Sequence, residues 1–221
     1  TDVDANTSVG GIVGKAWDIN NNIPTGSGAY VYTDAAYGAY FEECKNNAGG
    51  VITITHTQIG NPKNDTTDSG LVSAGGIMGQ GNGYVNYGQN WAPINMTLVD
   101  EPALGDYWGR QQTIAQAGGI VGKSWQGIGM NSCTNRGDIY VGYDQNKYAS
   151  GRYKGAVGGL CGCNGYDKTT SNMRFSTNHG KITVRGWGCV NVGGICGANG
   201  SQRGNKVYKS ATIDVQCRDD S

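Results

Sequence analysis

A six-residue glycine motif recurs five times along the 221-residue chain, and this repetition limits the fold more than any other feature. The copies are VGGIVG at 9–14, AGGIMG at 74–79, AGGIVG at 117–122, VGGLCG at 157–162 and VGGICG at 192–197. One such loop would suggest nucleotide binding, but a nucleotide needs a single loop between a strand and a helix. Five copies indicate a repeat architecture instead.

Each glycine motif is followed by a segment in which apolar and polar residues alternate. The first apolar position holds Ile52, Ile94, Ile139, Ile182 and Ile213, and the second holds Ile54, Met96, Val141, Val184 and Val215. The residues between them are Thr53, Asn95, Tyr140, Thr183 and Asp214. A period of two predicts a β-strand with one buried face.

Because the alternating segments of the five repeats carry similar apolar residues at the same positions, we predict that their strands stack in parallel, with the isoleucines forming a ladder inside a coil. No repeat could bury its apolar face alone, so the repeats must stack to form a core. We therefore predict an all-β fold, a parallel β-solenoid of about five rungs with long loop excursions, as one repeat domain over residues 1–221. The repeats span approximately 8–56, 73–98, 116–141, 156–184 and 191–217.

The glycine motif is predicted to be a second strand of each rung. Its two alternating faces both carry apolar residues, so we expect it to be covered by the coil interior on one side and by a loop or another subunit on the other. The glycine pairs let the covering layer come close. These pairs are Gly10 and Gly11, Gly75 and Gly76, Gly118 and Gly119, Gly158 and Gly159, and Gly193 and Gly194.

The chain has seven cysteines, of which Cys161 and Cys196 occupy equivalent motif positions. We expect these two to be neighbours in the stack, either as small buried apolar residues or as a disulfide between rungs. The CGC segment at 161–163 lacks a second cysteine pair and nearby histidine ligands, so we predict no zinc site and no other metal.

The glycine pairs are 35 to 65 residues apart, which is more than a solenoid coil needs, so each repeat should carry an excursion. The largest is the Tyr-rich segment 15–43, and others cover 99–116 and 142–156. Their aromatic residues either cover the scaffold, form a protein interface or bind glycans. The candidates are Trp17, Tyr30, Tyr32, Tyr37, Tyr40 and Trp108. We also expect the 15–43 excursion or another copy of the chain to cover the N-terminal end of the stack.

Four sequons permit N-linked glycans at Asn6, Asn64, Asn95 and Asn199, although a chain rich in Asn, Ser and Thr produces about as many by chance.

The charges balance at 17 basic and 17 acidic residues. A neutral surface does not attract nucleic acid or an anionic membrane. No apolar run reaches eighteen residues, so we predict no membrane insertion. A surface built from Asn, Ser, Thr, Gly and Tyr is common in secreted proteins and predicts an extracellular or cell-surface location.

The sequence offers little for catalysis. There are only two histidines, His56 and His179, and neither a nucleophile elbow nor an HExxH motif occurs. The outward row of the ladder strands contains one acid and no base, whereas enzymes built on β-solenoids use clustered charged residues. We predict a protein that is not an enzyme and has no cofactor.

The glycine motif followed by a turn such as SCTNRGDIYV resembles the GLUG motif, a short repeat of large bacterial surface and secreted proteins. The resemblance is best at 117–141, 157–184 and 192–215, is weaker at 74–98, and fails most in the first repeat, where about thirty residues separate Gly14 from Cys44. It implies a parallel β-solenoid at the cell surface, in which the repeat is an accessory element without catalytic residues.

Three functions fit these observations. The first is a non-catalytic extracellular structural protein that self-associates as a homo-oligomer or filament, such as the subunit of a fibril. The second is a surface adhesin module that binds glycan or host protein through aromatic loops. The third is a carbohydrate-active enzyme.

Overall fold

The computed structural model describes residues 7–16, 39–58, 71–100, 113–124, 128–143, 153–164, 172–187, 190–198 and 201–218. Most of the three predicted excursions lies outside these ranges. The described residues form 25 short strands and no helix.

Five strands make up each rung. The first contains β1 (Thr7–Gly10), β2 (Val13–Ala16), β3 (Ala39–Glu42), β4 (Lys45–Asn46) and β5 (Ile52–Gln58). The second contains β6 (Leu71–Gly75), β7 (Met78–Gly81), β8 (Gly83–Asn86), β9 (Gln89–Asn90) and β10 (Ile94–Asp100). The third contains β11 (Thr113–Gly118), β12 (Val121–Ser124), β13 (Ile128–Asn131), β14 (Thr134–Asn135) and β15 (Ile139–Tyr143). The fourth contains β16 (Tyr153–Gly158), β17 (Cys161–Asn164), β18 (Asn172–Arg174), β19 (Thr177–Asn178) and β20 (Ile182–Trp187). The fifth contains β21 (Val190–Gly193), β22 (Cys196–Ala198), β23 (Ser201–Arg203), β24 (Lys206–Val207) and β25 (Ile213–Arg218).

Equivalent strands of the five rungs pair in parallel to form five sheets, which we number I to V in the order of the strands within a rung. Each strand pairs with its counterparts in the rungs before and after it, so the sheets share one order along the stack. The protein is therefore an all-β parallel β-solenoid of five rungs, as the repetition predicted.

The isoleucine ladder lies in sheet V with the predicted register. Ile52, Ile94, Ile139, Ile182 and Ile213 are successive partners, and so are Ile54, Met96, Val141, Val184 and Val215. The first four members of each row are buried. The prediction that all five isoleucines are buried is wrong for Ile213, which is 47% exposed, and Val215 is also exposed. Among the described residues, the fifth rung has a neighbour on one side only.

The glycine motif is not one strand, as the sequence suggested, but two. In the first rung β1 ends at Gly10, a bend covers Gly11 and Ile12, and β2 starts at Val13. The bend redirects the chain, so residues on either side of it reach different parts of the interior.

Two hydrophobic cores result from this bend. The Val9 position of sheet I packs on the isoleucine ladder of sheet V. The Ile12 position (Ile77, Ile120, Leu160 and Ile195 in the later rungs) packs with sheets II and III. The two apolar faces of the motif therefore both face inward, which corrects the expectation that a loop or another subunit covers one of them.

The described part of the chain has no helix with the length and apolarity that crossing a membrane would require.

We predict that Ile139→Asp lowers the free energy of unfolding by about 3–5 kcal/mol, because Ile139 is 1% exposed and the carboxylate would be buried without a partner. In the dissociated monomer, the matched variant Ile213→Asp changes the equivalent residue at the open end and should cost less than about 1 kcal/mol. Urea denaturation followed by circular dichroism measures both. Equal losses would contradict the difference in burial between the two positions.

Candidate functional site

The glycine pairs bring the chain close to itself and leave no room for a ligand. A Cβ atom on the second glycine of a pair, for example Gly119, would overlap the side-chain amide of Asn135 and the carbonyl oxygen of Gly159. Gly11 lies in the same way against Asn46. The space that a phosphate would fill in a nucleotide-binding loop is thus occupied by an asparagine of the same rung and by the backbone of the next rung.

The asparagines at these contacts form a ladder of hydrogen bonds through four rungs. Asn46 Nδ2 donates to Asn90 Oδ1 at 3.0 Å, Asn90 Nδ2 to Asn135 Oδ1 at 2.9 Å, and Asn135 Nδ2 to Asn178 Oδ1 at 2.9 Å. The last three amides also donate to the carbonyl two residues later in their own turn. Buried amides need such partners, since an unsatisfied polar group costs about 1–3 kcal/mol. The fifth position of the ladder is Val207.

Sequence reasoning missed this ladder because TNRG at 134–137 and TNHG at 177–180 have the composition of turns, and turn composition does not reveal contacts between rungs. The signal was present as an asparagine four residues before the ladder isoleucine in the second, third and fourth repeats, and six residues before it in the first.

The turns between sheets IV and V differ in length between the middle and the ends of the stack. Three residues, 91–93, 136–138 and 179–181, connect these sheets in the three middle rungs. Five residues connect them in the first rung, 47–51, and in the fifth rung, 208–212. Both longer turns close with a backbone hydrogen bond, from Gly50 N to Asn47 O at 3.2 Å and from Ala211 N to Tyr208 O at 2.9 Å.

The first and fifth rungs leave apolar side chains exposed at the two ends of the stack. Ile12 is 45% exposed in the first rung, whereas its equivalents Ile77, Ile120 and Leu160 are fully buried. Val207, Ile213 and Val215 are exposed in the fifth rung. Both ends also leave one edge of every sheet unpaired among the described strands.

Flat side chains stack on one another at the first position of the turns between sheets IV and V. The Arg136 guanidinium lies 4.6 Å from the ring centroid of Trp91, and the rings of His179 and Tyr208 stack at 3.8 Å. Desolvation, and then the positive charge of Arg136, lowers the pKa of His179, so this histidine is biased toward its neutral form. The column thus contains two stacked pairs, Trp91 with Arg136 and His179 with Tyr208, and Tyr208 at its end is 45% exposed.

A second set of aromatic residues, which we call the flank aromatics, lies at sheet III and the bend after it. The set consists of Tyr40, Tyr84, Tyr87 and Phe175. Phe175 is 60% exposed and Tyr40 is 57% exposed, with the Tyr40 hydroxyl accepting a hydrogen bond from Asn86 Nδ2 at 2.8 Å. Tyr87 and Phe175 have φ angles of 54° and 50°, in the left-handed region that bulky residues rarely adopt, and Gly204 occupies this position in the fifth rung.

The outward row of sheet V carries Thr53, Asn95, Tyr140, Thr183 and Asp214, in register. Its one acid, Asp214, accepts a 2.6 Å hydrogen bond from Arg185 of the neighbouring strand. Asn95, half-buried on β10, is the only predicted sequon within the described ranges. No group of three or more His, Cys, Asp or Glu residues in the described chain could hold a metal ion.

Cys161 and Cys196 are register partners in sheet II, as their motif positions predicted. Of the two alternatives, the structure shows reduced thiols without a disulfide, and a hydrogen bond from Cys161 to Cys196 joins them. Burial, and then this hydrogen bond, raises the pKa of Cys161, and accepting the same bond lowers the pKa of Cys196. Burial raises the pKa of the Cys133 thiol to about 11.

Several predicted residues lie outside the described part of the chain. They are the sequons Asn6, Asn64 and Asn199 and the aromatics Trp17, Tyr30, Tyr32, Tyr37 and Trp108. Of the aromatics predicted from the sequence, the structure places Tyr40, and it adds Trp91, Tyr84, Tyr87, Phe175 and Tyr208. Aligning the turns and bends of the repeats would have found the added residues.

Comparison of the chain with protein-family models, with curated proteins and with solved structures finds no match. The resemblance to GLUG repeats therefore remains a prediction.

We predict that Gly119→Ala lowers the free energy of unfolding by about 3 kcal/mol, because the added methyl group would overlap Asn135 and the next rung. Gly49→Ala is the matched control, since a Cβ at Gly49 would meet no atom within 4 Å, and it should change stability by less than about 0.5 kcal/mol. Thermal unfolding of both variants tests this. A Gly119→Ala protein as stable as the parent would show that the corner can widen without cost.

Proposed function

We propose that this chain is a non-catalytic structural protein of the cell exterior that self-associates. The observation that carries the proposal is the pair of open ends, where strand edges that no other described strand pairs with lie beside exposed apolar side chains. A row of free N–H and C=O groups is a template for pairing with another chain, and natural proteins usually cover it or blunt it with charge.

The surface charge does not oppose association. Seventeen basic residues balance seventeen acidic ones, and proteins near zero net charge associate more readily than strongly charged ones. The extracellular setting is supported by the polar, uncharged composition and by the resemblance to GLUG repeats of bacterial surface proteins. The sparse charged groups of the outward row support a non-catalytic role.

Sedimentation velocity over a hundredfold range of concentration tests the proposal. We expect species heavier than the 23.2 kDa monomer whose fraction grows with concentration. A chain that stays monomeric throughout would contradict self-association.

Deleting residues 18–37 removes most of the Tyr-rich excursion. The deletion therefore shows whether the excursion or the ends of the stack make the contact between copies. The deletion shortens the link between β2 and β3 in the first rung. The remaining link is long enough to preserve the fold, because in the second rung Asn82 alone joins the equivalent strands β7 and β8. If the ends make the contact, the shortened protein still associates. If it becomes monomeric, the excursion makes the contact.

The second candidate is an adhesin module that binds glycan or host protein, and the flank aromatics favour it. Contiguous exposed apolar patches mark interaction sites, and aromatic rings suit stacking on sugars or burial in protein interfaces. The flank set extends over the first, second and fourth rungs, so it offers contacts along the stack.

Replacing both Tyr87 and Phe175 with glycine tests this candidate without loss of fold, because glycine tolerates the positive φ at both positions. If the flank binds, signal on a glycan array or a host-protein array should fall at least tenfold. Ser132→Gly, at the same backbone position in the third rung, is the control without a ring. Unchanged binding by the double variant would remove the flank, and a parallel Tyr30, Tyr32 and Tyr37 to alanine variant then tests the excursion.

A further inference from the structure

We infer that the open ends bind each other. A second copy of this chain docks head to tail, so that its first rung continues the stack beyond the fifth rung in residue register. The inference rests on the proposed self-association and adds the surfaces, the direction and the register of the contact. In this register Ile52 of the next copy lies beside Ile213, and Glu42 of the next copy lies beside Arg203.

Six series of backbone hydrogen bonds recur at each of the four junctions between rungs, two of them at the bend of the glycine motif. Of the other four series, two donate toward the later rung and end with Ile182 N to Thr212 O and Phe175 N to Arg203 O. Two series donate toward the earlier rung and begin with Gln89 N to Cys44 O and Trp91 N to Asn46 O. The fifth rung therefore directs the N–H groups of Gly204 and Ile213 out of the stack, and the first rung directs those of Lys45 and Asn47 out of the other end.

Each end carries the acceptors that the other end's donors require. Beyond the fifth rung, Ile213 N would meet the carbonyl of Val51 and Gly204 N that of Glu42 in the next copy. In return, Lys45 N and Asn47 N of the next copy would meet the carbonyls of Asn205 and Val207. A head-to-tail joint thus extends these four series of hydrogen bonds by one member each. A joint between two fifth rungs would reverse the strand direction, and none of the series could continue.

The turn lengths favour the same joint. The five-residue turn of the fifth rung, 208–212, matches the five-residue turn of the first rung, 47–51, and both close with the same backbone hydrogen bond. Within the chain each of these turns stacks on a three-residue turn, which leaves two residues without counterparts. Only the joint between copies brings the two long turns together.

Charge is complementary at the bend after sheet III. The outward row of that sheet reads Glu42, Asn86, Asn131, Arg174 and Arg203 from the first rung to the fifth. Arg203 has a like charge beside it within the chain, and the next copy would place Glu42 on its free side. Opposite charges directly beside each other in paired strands are favourable, and like charges are unfavourable.

The apolar rows also continue across the joint. Ile213 and Val215 would be covered by Ile52 and Ile54, and Val192 by Val9. Two contacts are unfavourable, since Lys206 would lie beside Lys45 and Val207 would lie on the amide of Asn46. Both lysines are exposed and long, so their charges can separate, and we expect these contacts to weaken the joint without preventing it.

Two proline variants test the joint, because each removes an N–H group that points out of the stack and that no neighbouring rung uses. Ile213→Pro blocks the fifth-rung end and Lys45→Pro blocks the first-rung end, and both residues begin their strands, where proline is tolerated. Each variant alone should weaken association about tenfold or more in dissociation constant. Mixed in equal amounts, the two variants retain one intact joint, so native mass spectrometry should show a one-to-one heterodimer and no longer species.

The controls keep the N–H groups. Ile213→Val and Lys45→Ala should associate like the parent, and Lys45→Ala somewhat more tightly because it removes the contact between lysines. Proline variants that assemble like the parent, or a mixture that stays monomeric while the parent associates, would overturn the head-to-tail joint and leave self-association standing. A parent that is monomeric at all concentrations would remove the proposed function and the joint together.

If circular dichroism shows that a proline variant does not fold, charge-reversal variants test the joint instead. Arg203→Glu and Glu42→Arg should each weaken association at low salt, because every joint would then pair like charges. An equimolar mixture should restore it, since every joint between the two variants again pairs an acidic with a basic side chain. Lys181→Glu, an exposed position in the fourth rung with the same change in charge, should have no effect. Failure of the mixture to recover association would overturn the register.

Discussion

The contact between the glycine corner and the asparagine ladder is the constraint on which the rest of this structure depends. Side-chain amides stack through four rungs, and each lies so close to a glycine Cα that no larger residue fits there. The contact fixes the sharp bend between sheets I and II and holds it against the turn before sheet V. Since the amide chain requires in-register neighbours, it also fixes the register of the stack.

Both hydrophobic cores follow from that bend. The chain before the bend faces the isoleucine ladder and the chain after it faces sheet III, so one short motif supplies apolar side chains to two cores. A corner built from larger residues would hold the two segments apart and leave voids in both cores, which protein interiors do not tolerate well. The glycines therefore act through packing and not through ligand binding.

The two end rungs depart from the pattern in ways that the middle rungs do not. Their turns are longer by two residues, the amide ladder ends at Val207, and residues that are buried in the middle of the stack are exposed. Among the described residues, both end rungs thus combine exposed apolar side chains with strand edges that pair with no other strand. The matched turns and the opposite charges of Glu42 and Arg203 explain how a second copy would satisfy both ends.

The amino-acid sequence was enough to predict the solenoid, its number of rungs, the register of Ile52 through Ile213 and the neighbouring positions of Cys161 and Cys196 in the stack. It could do so because equivalent residues in a parallel stack must lie beside each other, and the period of two assigns each side chain to a face. The three-dimensional structure was needed to show that the glycine motif bends into two strands, since alternation along six residues does not reveal a change of direction. It also decided the roles of Asn90, Trp91 and Phe175, because the position of a residue in a turn does not reveal which side chains of the neighbouring rungs it contacts. The exposure of Ile213 was likewise a tertiary outcome, since burial in a stack depends on having a neighbour on both sides and not on the residue itself.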